Sequence, residues 1–354
     1  MATLYISEKN LTAFLEALCR DAEVFGTVER ESQFYFEGLN ADNAKLVTMR
    51  PARSCQSAKA LLYPVAQKVA VYSTAGAVEA EPVGAPKRVL VGLRQCDLAA
   101  IHMLDRVMLE GEYVDTFYKA RRDAATLIST DCLAAAPSCF CTMIEGQPWP
   151  TKYFDLNLSP LKDGHVVETG SSKGEALLEQ HPLLFAAATE AQMSERAANR
   201  SAIAATVKEQ NREFEPERPI REVFAGEIDE KKLQKLAWDC VECGACTNIC
   251  PGCHCFLMFD RPVSEACAAP KFERGRQWDS CVLGEYARMA GAGGMKPNPR
   301  PMFRTRFVNR FLHKYLYFQN MFSEFQCSGC GRCFDACGGG IDPRRVIREM
   351  SKRE

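Results

Sequence analysis

The stretch CVECGACTNICP, which spans residues 240–251, decides how this sequence is interpreted. Its cysteines follow the spacing C-x2-C-x2-C-x3-C, and a proline comes directly after the last one. In bacterial ferredoxins this spacing wraps three thiolates around one [4Fe–4S] cluster and presents the fourth cysteine to a second cluster. The run therefore predicts iron–sulfur ligation by Cys240, Cys243, Cys246 and Cys250.

A second run with the same spacing occupies residues 327–337. Two runs with reciprocal fourth ligands specify two [4Fe–4S] clusters held close together. We predict that one cluster is held by Cys240, Cys243, Cys246 and Cys337, and the other by Cys327, Cys330, Cys333 and Cys250. Gly338 stands where a proline normally follows such a run, which puts the local turn in question more than the ligation. Zinc is the alternative, but a zinc ion needs four ligands rather than two complete runs.

Composition narrows the class of protein further. The chain has 354 residues, of which 18 are cysteines, and this density in a long chain without a secretion signal favours cluster ligation over a disulfide scaffold. The 44 basic and 45 acidic side chains leave a net charge of −1, which argues against nucleic acid as a partner. The N-terminal residues show no signal-peptide pattern, and no apolar run of membrane-spanning length occurs. We therefore expect a cytoplasmic protein without a membrane span.

The N-terminal half of the sequence predicts an α/β domain over residues 1–218. Apolar stretches at residues 45–49, 68–72, 88–93 and 124–129 are typical of strands, and residues 98–109 carry apolar side chains at helical period. The last two strands and the helix between them form a βαβ unit. The sequence EPERP at residues 215–219 breaks a long helical stretch and marks a boundary. Beyond it, over residues 219–354, we predict a mostly helical, ferredoxin-like domain with two [4Fe–4S] clusters.

Four more cysteines predict a third [4Fe–4S] cluster in the N-terminal domain. Cys96 and Cys132 come just after two neighbouring predicted strands, so both are expected at the carboxyl edge of the sheet, where open α/β sheets bind cofactors. Cys139 and Cys141 follow in one short loop, so four thiols are able to converge there. The alternative is four unrelated cysteines.

The 76 residues between the two runs hold four additional cysteines: Cys253, Cys255, Cys267 and Cys281. One interpretation makes them alternative ligands in place of Cys250 or parts of a further site. The other treats them as buried, inert thiols beside a cluster, because free cysteine is among the most buried residue types.

A basic segment without any acidic residue lies between Glu285 and Glu324. It interleaves aromatic residues with Arg288, Lys296, Arg300, Arg304, Arg306, Arg310 and Lys314. Two interpretations stay open: a helix beside the clusters, which raises their potentials or docks an acidic partner, or a plain solvated helix face.

The segments CVECGACTNICPGCHCF, RQWDSC and CSGCGRC, with RQCDLAAIHMLD upstream, resemble the β subunit of soluble sulfhydrogenases and the dicluster 4Fe–4S subunit of anaerobic sulfite reductase. The resemblance covers most of the chain from about Arg88 onward. It implies an iron–sulfur electron-transfer subunit with no substrate chemistry of its own. It also implies two partners: one subunit that binds FAD and NAD(P), and a separate catalytic hydrogenase or reductase subunit.

Two other functions are compatible with the cysteines. One is a cluster-dependent reductase of sulfur or disulfides that acts through a reactive thiol at Cys253, Cys255 or Cys281. The other is a non-redox interaction protein stabilised by zinc.

Overall fold

A computed structural model describes residues 3–50, 52–76, 78–225, 229–264 and 270–352. The strands are β1 (Leu4–Ser7), β2 (Glu23–Arg30), β3 (Gln33–Leu39), β4 (Ala66–Ser73), β5 (Val78–Ala80), β6 (Arg88–Leu93), β7 (Ala125–Thr130), β8 (Leu156–Pro160), β9 (Gly164–Thr169), β10 (Ala186–Ala187), β11 (Phe256–Ser264) and β12 (Lys271–Trp278). The helices are α1 (Glu8–Asp21), α2 (Lys59–Leu62), α3 (Gln95–Leu109), α4 (Thr116–Ala124), α5 (Ser172–Gln180), α6 (Glu190–Gln210), α7 (Ile220–Ala225), α8 (Glu230–Lys235), α9 (Ala245–Asn248), α10 (Phe303–Leu312), α11 (Phe318–Phe322), α12 (Arg332–Asp335) and α13 (Pro343–Ser351).

An eight-stranded mixed sheet forms the frame of the N-terminal region, in the order β10-β1-β9-β8-β7-β6-β2-β3. Strands β2, β6, β7 and β8 run parallel to their neighbours within this set, and the outer pairs are antiparallel. The predicted βαβ unit is confirmed, because β6 and β7 pair in parallel across the connection that contains α3. This pairing places the carboxyl ends of β6 and β7 side by side.

Alternating side chains of β6 pack on both faces of this sheet. Val89 and Val91 belong to the apolar core beneath α1, whereas Leu90 belongs to the core beneath α3. Helices therefore cover both faces, as expected where a strand is apolar at successive positions.

A second, four-stranded antiparallel sheet joins the two halves of the chain. Its order is β11-β12-β4-β5, so the hairpin β11–β12 extends a sheet that begins with N-terminal strands. The prediction of a mostly helical C-terminal region did not include this hairpin of 9 and 8 residues. The division of the chain at residue 218 stays a prediction, and this sheet crosses it.

The prediction of a strand at residues 45–49 is wrong. Residues Ala44–Leu46 form a single 3-10 turn, and the side chains just before it explain why. The Asn40 side-chain oxygen accepts hydrogen bonds from the backbone N–H groups of Asp42 at 2.9 Å and Asn43 at 3.0 Å. Such asparagine turns compete with extended structure.

The C-terminal region packs around a long helical segment. Helix α10 continues through a π-helical turn at His313–Tyr317 into α11. Phe307, Phe311 and Tyr315 are buried along it in the same core as Phe140 of the N-terminal half. In the described part of the chain, no helix is both long enough and apolar enough to cross a membrane.

Candidate iron–sulfur sites

The predicted ligands form three groups of cysteines. The first-run site comprises Cys240, Cys243, Cys246 and Cys337; the second-run site comprises Cys327, Cys330, Cys333 and Cys250; the N-terminal site comprises Cys96, Cys132, Cys139 and Cys141. The structure brings together members of each predicted set, although ligation itself stays a prediction.

The second-run site surrounds a small cavity. All four of its cysteines line this cavity, including Cys250 from the other run. The Lys314 side chain donates a hydrogen bond to the Cys250 sulfur at 3.3 Å and another to the Gln326 carbonyl at 3.1 Å. Burial lowers the pKa of the Lys314 amine, but the neighbouring thiolates, Cys250 first, raise it by more. A lysine held charged in this way fits a site that binds an anionic group.

The first-run site lies at the protein surface. Cys240 is near both Cys246 and Cys337: burial raises the pKa of the Cys240 thiol, and these two neighbouring thiols add to the increase. The Ile341 backbone N–H donates to the Cys337 sulfur at 3.3 Å. Cys243 is exposed, so one corner of this site faces solvent.

The N-terminal site forms where the two parallel strands end. Cys96 lies in the first turn of α3 directly after β6, and Cys132 follows β7. With Cys139 and Cys141 they line one small cavity. Burial raises the pKa of the Cys132 thiol, and the positive charge of Arg94 lowers it by less, so that the pKa rises to about 12. Ligation of a metal by such a thiol requires loss of its proton.

Buried cations occupy the gaps between the sites. Arg310 is 5% exposed. Burial lowers the pKa of its guanidinium, but the neighbouring thiolates, Cys246 first and then Cys333, raise this pKa by more. The Arg310 side chain lines the second-run cavity, and thiols of both runs act on its charge. The Arg53 guanidinium donates a hydrogen bond to the Cys330 carbonyl of the second run, and the same side chain lines the N-terminal cavity, so it lies between the second-run and N-terminal sites.

These contacts place the second-run site next to both of the other two. Cys330 supports this adjacency directly, because it lines the second-run cavity and the N-terminal cavity alike. The N-terminal site borders an open cleft whose walls include Cys96 and Cys141, and the same cleft reaches Cys327 of the second-run site. The N-terminal site is thus reachable from solvent through this cleft, and the first-run site through the exposed Cys243.

Sequence reasoning missed part of this charge arrangement. In the basic segment, Arg306, Arg310 and Lys314 are all buried, so the interpretation as a solvated face is wrong for these three. Their spacing of four residues, which places them on one face of a helix, is a signal that identifies them. No comparable pattern marks Arg53, which reaches the sites from a distant loop.

The backbone of the second run packs directly against the loop that carries Cys139 and Cys141. The Phe140 N–H donates to the Gly329 carbonyl at 2.7 Å. Gly331 has a φ of +73°, and a Cβ at this position would overlap the Ser138 carbonyl oxygen. A side chain at residue 331 is therefore excluded both by conformation and by close packing.

We expect Gly331→Ala to lower the iron content of the second-run and N-terminal sites together and to lower the thermal unfolding midpoint. Gly340→Ala is the matched control, because Gly340 has a φ of +65° but no heavy atom near its Cβ position. The control should show only the left-handed backbone cost of about 1–2 kcal/mol. Equal iron content and equal midpoints in the two variants would contradict the packing argument.

Three of the four cysteines between the runs, Cys253, Cys255 and Cys281, lie beside the second-run site. Cys253 contacts Cys250, and Cys255 contacts the buried Cys281 at the base of the β11–β12 hairpin. The Asp279 N–H donates to the Cys255 carbonyl at 3.0 Å, which closes this hairpin. Cys267 lies outside the described residues.

Residues 239–341 match the family of 4Fe–4S dicluster domains. The chain therefore carries a 4Fe–4S dicluster domain, which accounts for two [4Fe–4S] clusters. Over 341 residues it is also 28% identical to the sulfhydrogenase 2 subunit beta of Pyrococcus furiosus, with 95% of each chain covered. It is a homologue of that subunit, so the predicted resemblance to sulfhydrogenase β subunits is confirmed.

Proposed function

We propose that this chain is the iron–sulfur electron-transfer subunit of a multi-subunit oxidoreductase and that it holds three [4Fe–4S] clusters in a row. When bound, each such cluster accepts and releases electrons. The observation that carries the proposal is the shared wall at Cys330, which lines both the second-run and the N-terminal cavity. A short row with accessible ends is what a relay requires.

The N-terminal cysteines support the third cluster through their convergence. Two come from the carboxyl ends of parallel strands and two from the loop that packs on the second run, yet all four line a single cavity. The cations Arg53 and Arg94 lower the pKa values of Cys139 and Cys132 against the larger, opposing effect of burial. Four unrelated cysteines would have no reason to meet in this way beside two buried arginines.

The partners follow from the homologue and from the two ends of the row. Sulfhydrogenase 2 subunit beta is by its name one subunit of a larger enzyme. We propose that this chain relays electrons between a partner that binds FAD and NAD(P) and a catalytic hydrogenase or reductase subunit. The cleft beside Cys96 and the exposed Cys243 provide one docking point for each. We propose a ferredoxin-like C-terminal region because the last cysteine of each run lies with the other run: Cys250 with the second-run site and Cys337 with the first-run site.

Iron, zinc and acid-labile sulfide should be measured per chain on protein purified without oxygen, with EPR after reduction. We expect about twelve irons and matching sulfide, because three [4Fe–4S] clusters hold that number. The matched variant Cys132→Ser should retain about eight of each, with the two clusters of the dicluster domain intact. About eight irons in the unmodified chain would remove the third cluster, and zinc without sulfide would contradict the relay as a whole.

A second candidate function is a cluster-dependent reductase of sulfur or disulfides. It is favoured by one contact: the Cys281 thiol hydrogen bonds to Cys255 and lowers the pKa of Cys255, and a thiolate is the reactive form of cysteine. Alkylation of the intact iron-loaded protein distinguishes the two functions. If alkylation abolishes the reduction of sulfur or disulfides without loss of iron, the result supports the reductase. If turnover of the assembled complex is unaffected, the result supports the relay.

A further inference from the structure

Large apolar side chains are exposed around the first-run site. Trp238 is 78% exposed and Val241 is 64% exposed, and they flank the site's cysteine Cys240 in the chain. Exposed apolar groups that cluster together mark interaction surfaces, and tryptophan is enriched at the energetic centres of interfaces.

The start of α10 adds a methionine and a cation to the same surface. The Arg306 guanidinium bonds to the Pro301 carbonyl at 2.6 Å and to the Glu242 carboxylate at 2.5 Å, which holds residues 300–304 beside the first run. Met302 is 59% exposed. The exposed Arg304 guanidinium lies 6.0 Å from the centre of the Trp238 ring.

The charge of this surface is positive. Glu242 is neutralised by its ion pair with Arg306, which leaves the exposed Asp239 against the exposed Lys235 and Arg304. The segment that supplies Arg304 has no acidic residue between Glu285 and Glu324.

We propose that this surface docks an acidic redox protein that exchanges electrons with the first-run site. The Cys243 face, as we call it, consists of Trp238, Val241, Cys243, Met302 and Arg304. The proposal rests on the proposed function, because it needs a cluster at Cys243, and it adds the position and the charge of the partner. Tryptophan and methionine supply apolar contact area, and the cations steer an oppositely charged partner toward the exposed cysteine.

The test measures electron transfer from the anaerobically reduced, iron-loaded chain to oxidised flavodoxin, an acidic flavoprotein. Each reduced cluster gives up one electron, and the flavin takes it up with one proton from water to form the semiquinone, which is followed by stopped-flow absorbance. We expect the second-order rate constant to fall with rising ionic strength. Arg304→Glu should lower it by about tenfold at low salt, because charges at an interface act mainly on association. Trp238→Ala should lower it by a similar factor, because it removes the largest apolar contact of the Cys243 face.

Arg30→Glu is the control, because Arg30 is an exposed arginine on β2, outside the Cys243 face. Iron content and EPR spectra are compared in all variants, so that a folding defect is separated from a docking defect. Equal rate constants for the two test variants and the control would overturn the docking surface. Faster transfer to a cationic cytochrome c that also depends on Trp238 would overturn the acidic partner. Absence of an EPR signal in the unmodified chain would instead contradict the proposed function.

Discussion

Cys333→Ala is expected to stop electron transfer through the chain while leaving its two ends intact. Cys333 lines the second-run cavity, and this site lies next to both of the other two. Loss of one of four thiolates should remove the middle cluster, so that the N-terminal and first-run sites have no carrier between them. The iron content should fall from about twelve to about eight per chain.

The measurement combines iron analysis, EPR and turnover of the assembled complex. EPR signals of the two outer sites should persist, and turnover should fall to background. Cys19→Ala is the control, since Cys19 lies on α1 and belongs to none of the three sites. A Cys333→Ala protein with full iron content and undiminished turnover would refute the central position of this site.

Lys314→Met is expected to lower the reduction potential of the second-run site without removing its cluster. Lys314 is 5% exposed, and its amine lies 3.3 Å from the Cys250 sulfur. A buried positive charge favours the more negative, reduced state of an adjacent cluster, because charges interact strongly where water is excluded. Methionine keeps the length of the side chain and its apolar stem but carries no charge.

We expect the ratio of reduced to oxidised second-run cluster, at a fixed ambient potential, to fall by at least about tenfold, which corresponds to about 59 mV for one electron. An EPR-monitored redox titration measures this shift. Lys314→Arg should retain the potential, and Lys9→Met, a change on the exposed side of α1, controls for loss of charge in general. An unchanged potential in a fully loaded Lys314→Met protein would show that Lys314 does not set it.

Local features were predictable because they depend on residues close together in the chain. The cysteine spacing of each run is confined to eleven residues, and it was sufficient to predict the dicluster domain that the family match confirms. The βαβ unit around α3 was predictable for the same reason, since strand and helix periods are read within short windows. The strand predicted at residues 45–49 was wrong because the Asn40 side chain bonds to the nearby backbone. The spacing of apolar residues, on which that prediction depended, carries no information about such hydrogen bonds.

The candidate ligands were predictable from the sequence alone, because they are thiols in two ferredoxin-type runs and thiols that follow two strands. Which sites adjoin one another, and which charges lie between them, became visible only in the folded chain. Arg53 and Cys330 are 277 residues apart, yet the arginine bonds to the Cys330 carbonyl. Strand β12 likewise pairs with β4 across some two hundred residues. Contacts of this kind depend on how separate elements pack, and packing follows from the complementarity of whole surfaces, which no short stretch of sequence specifies.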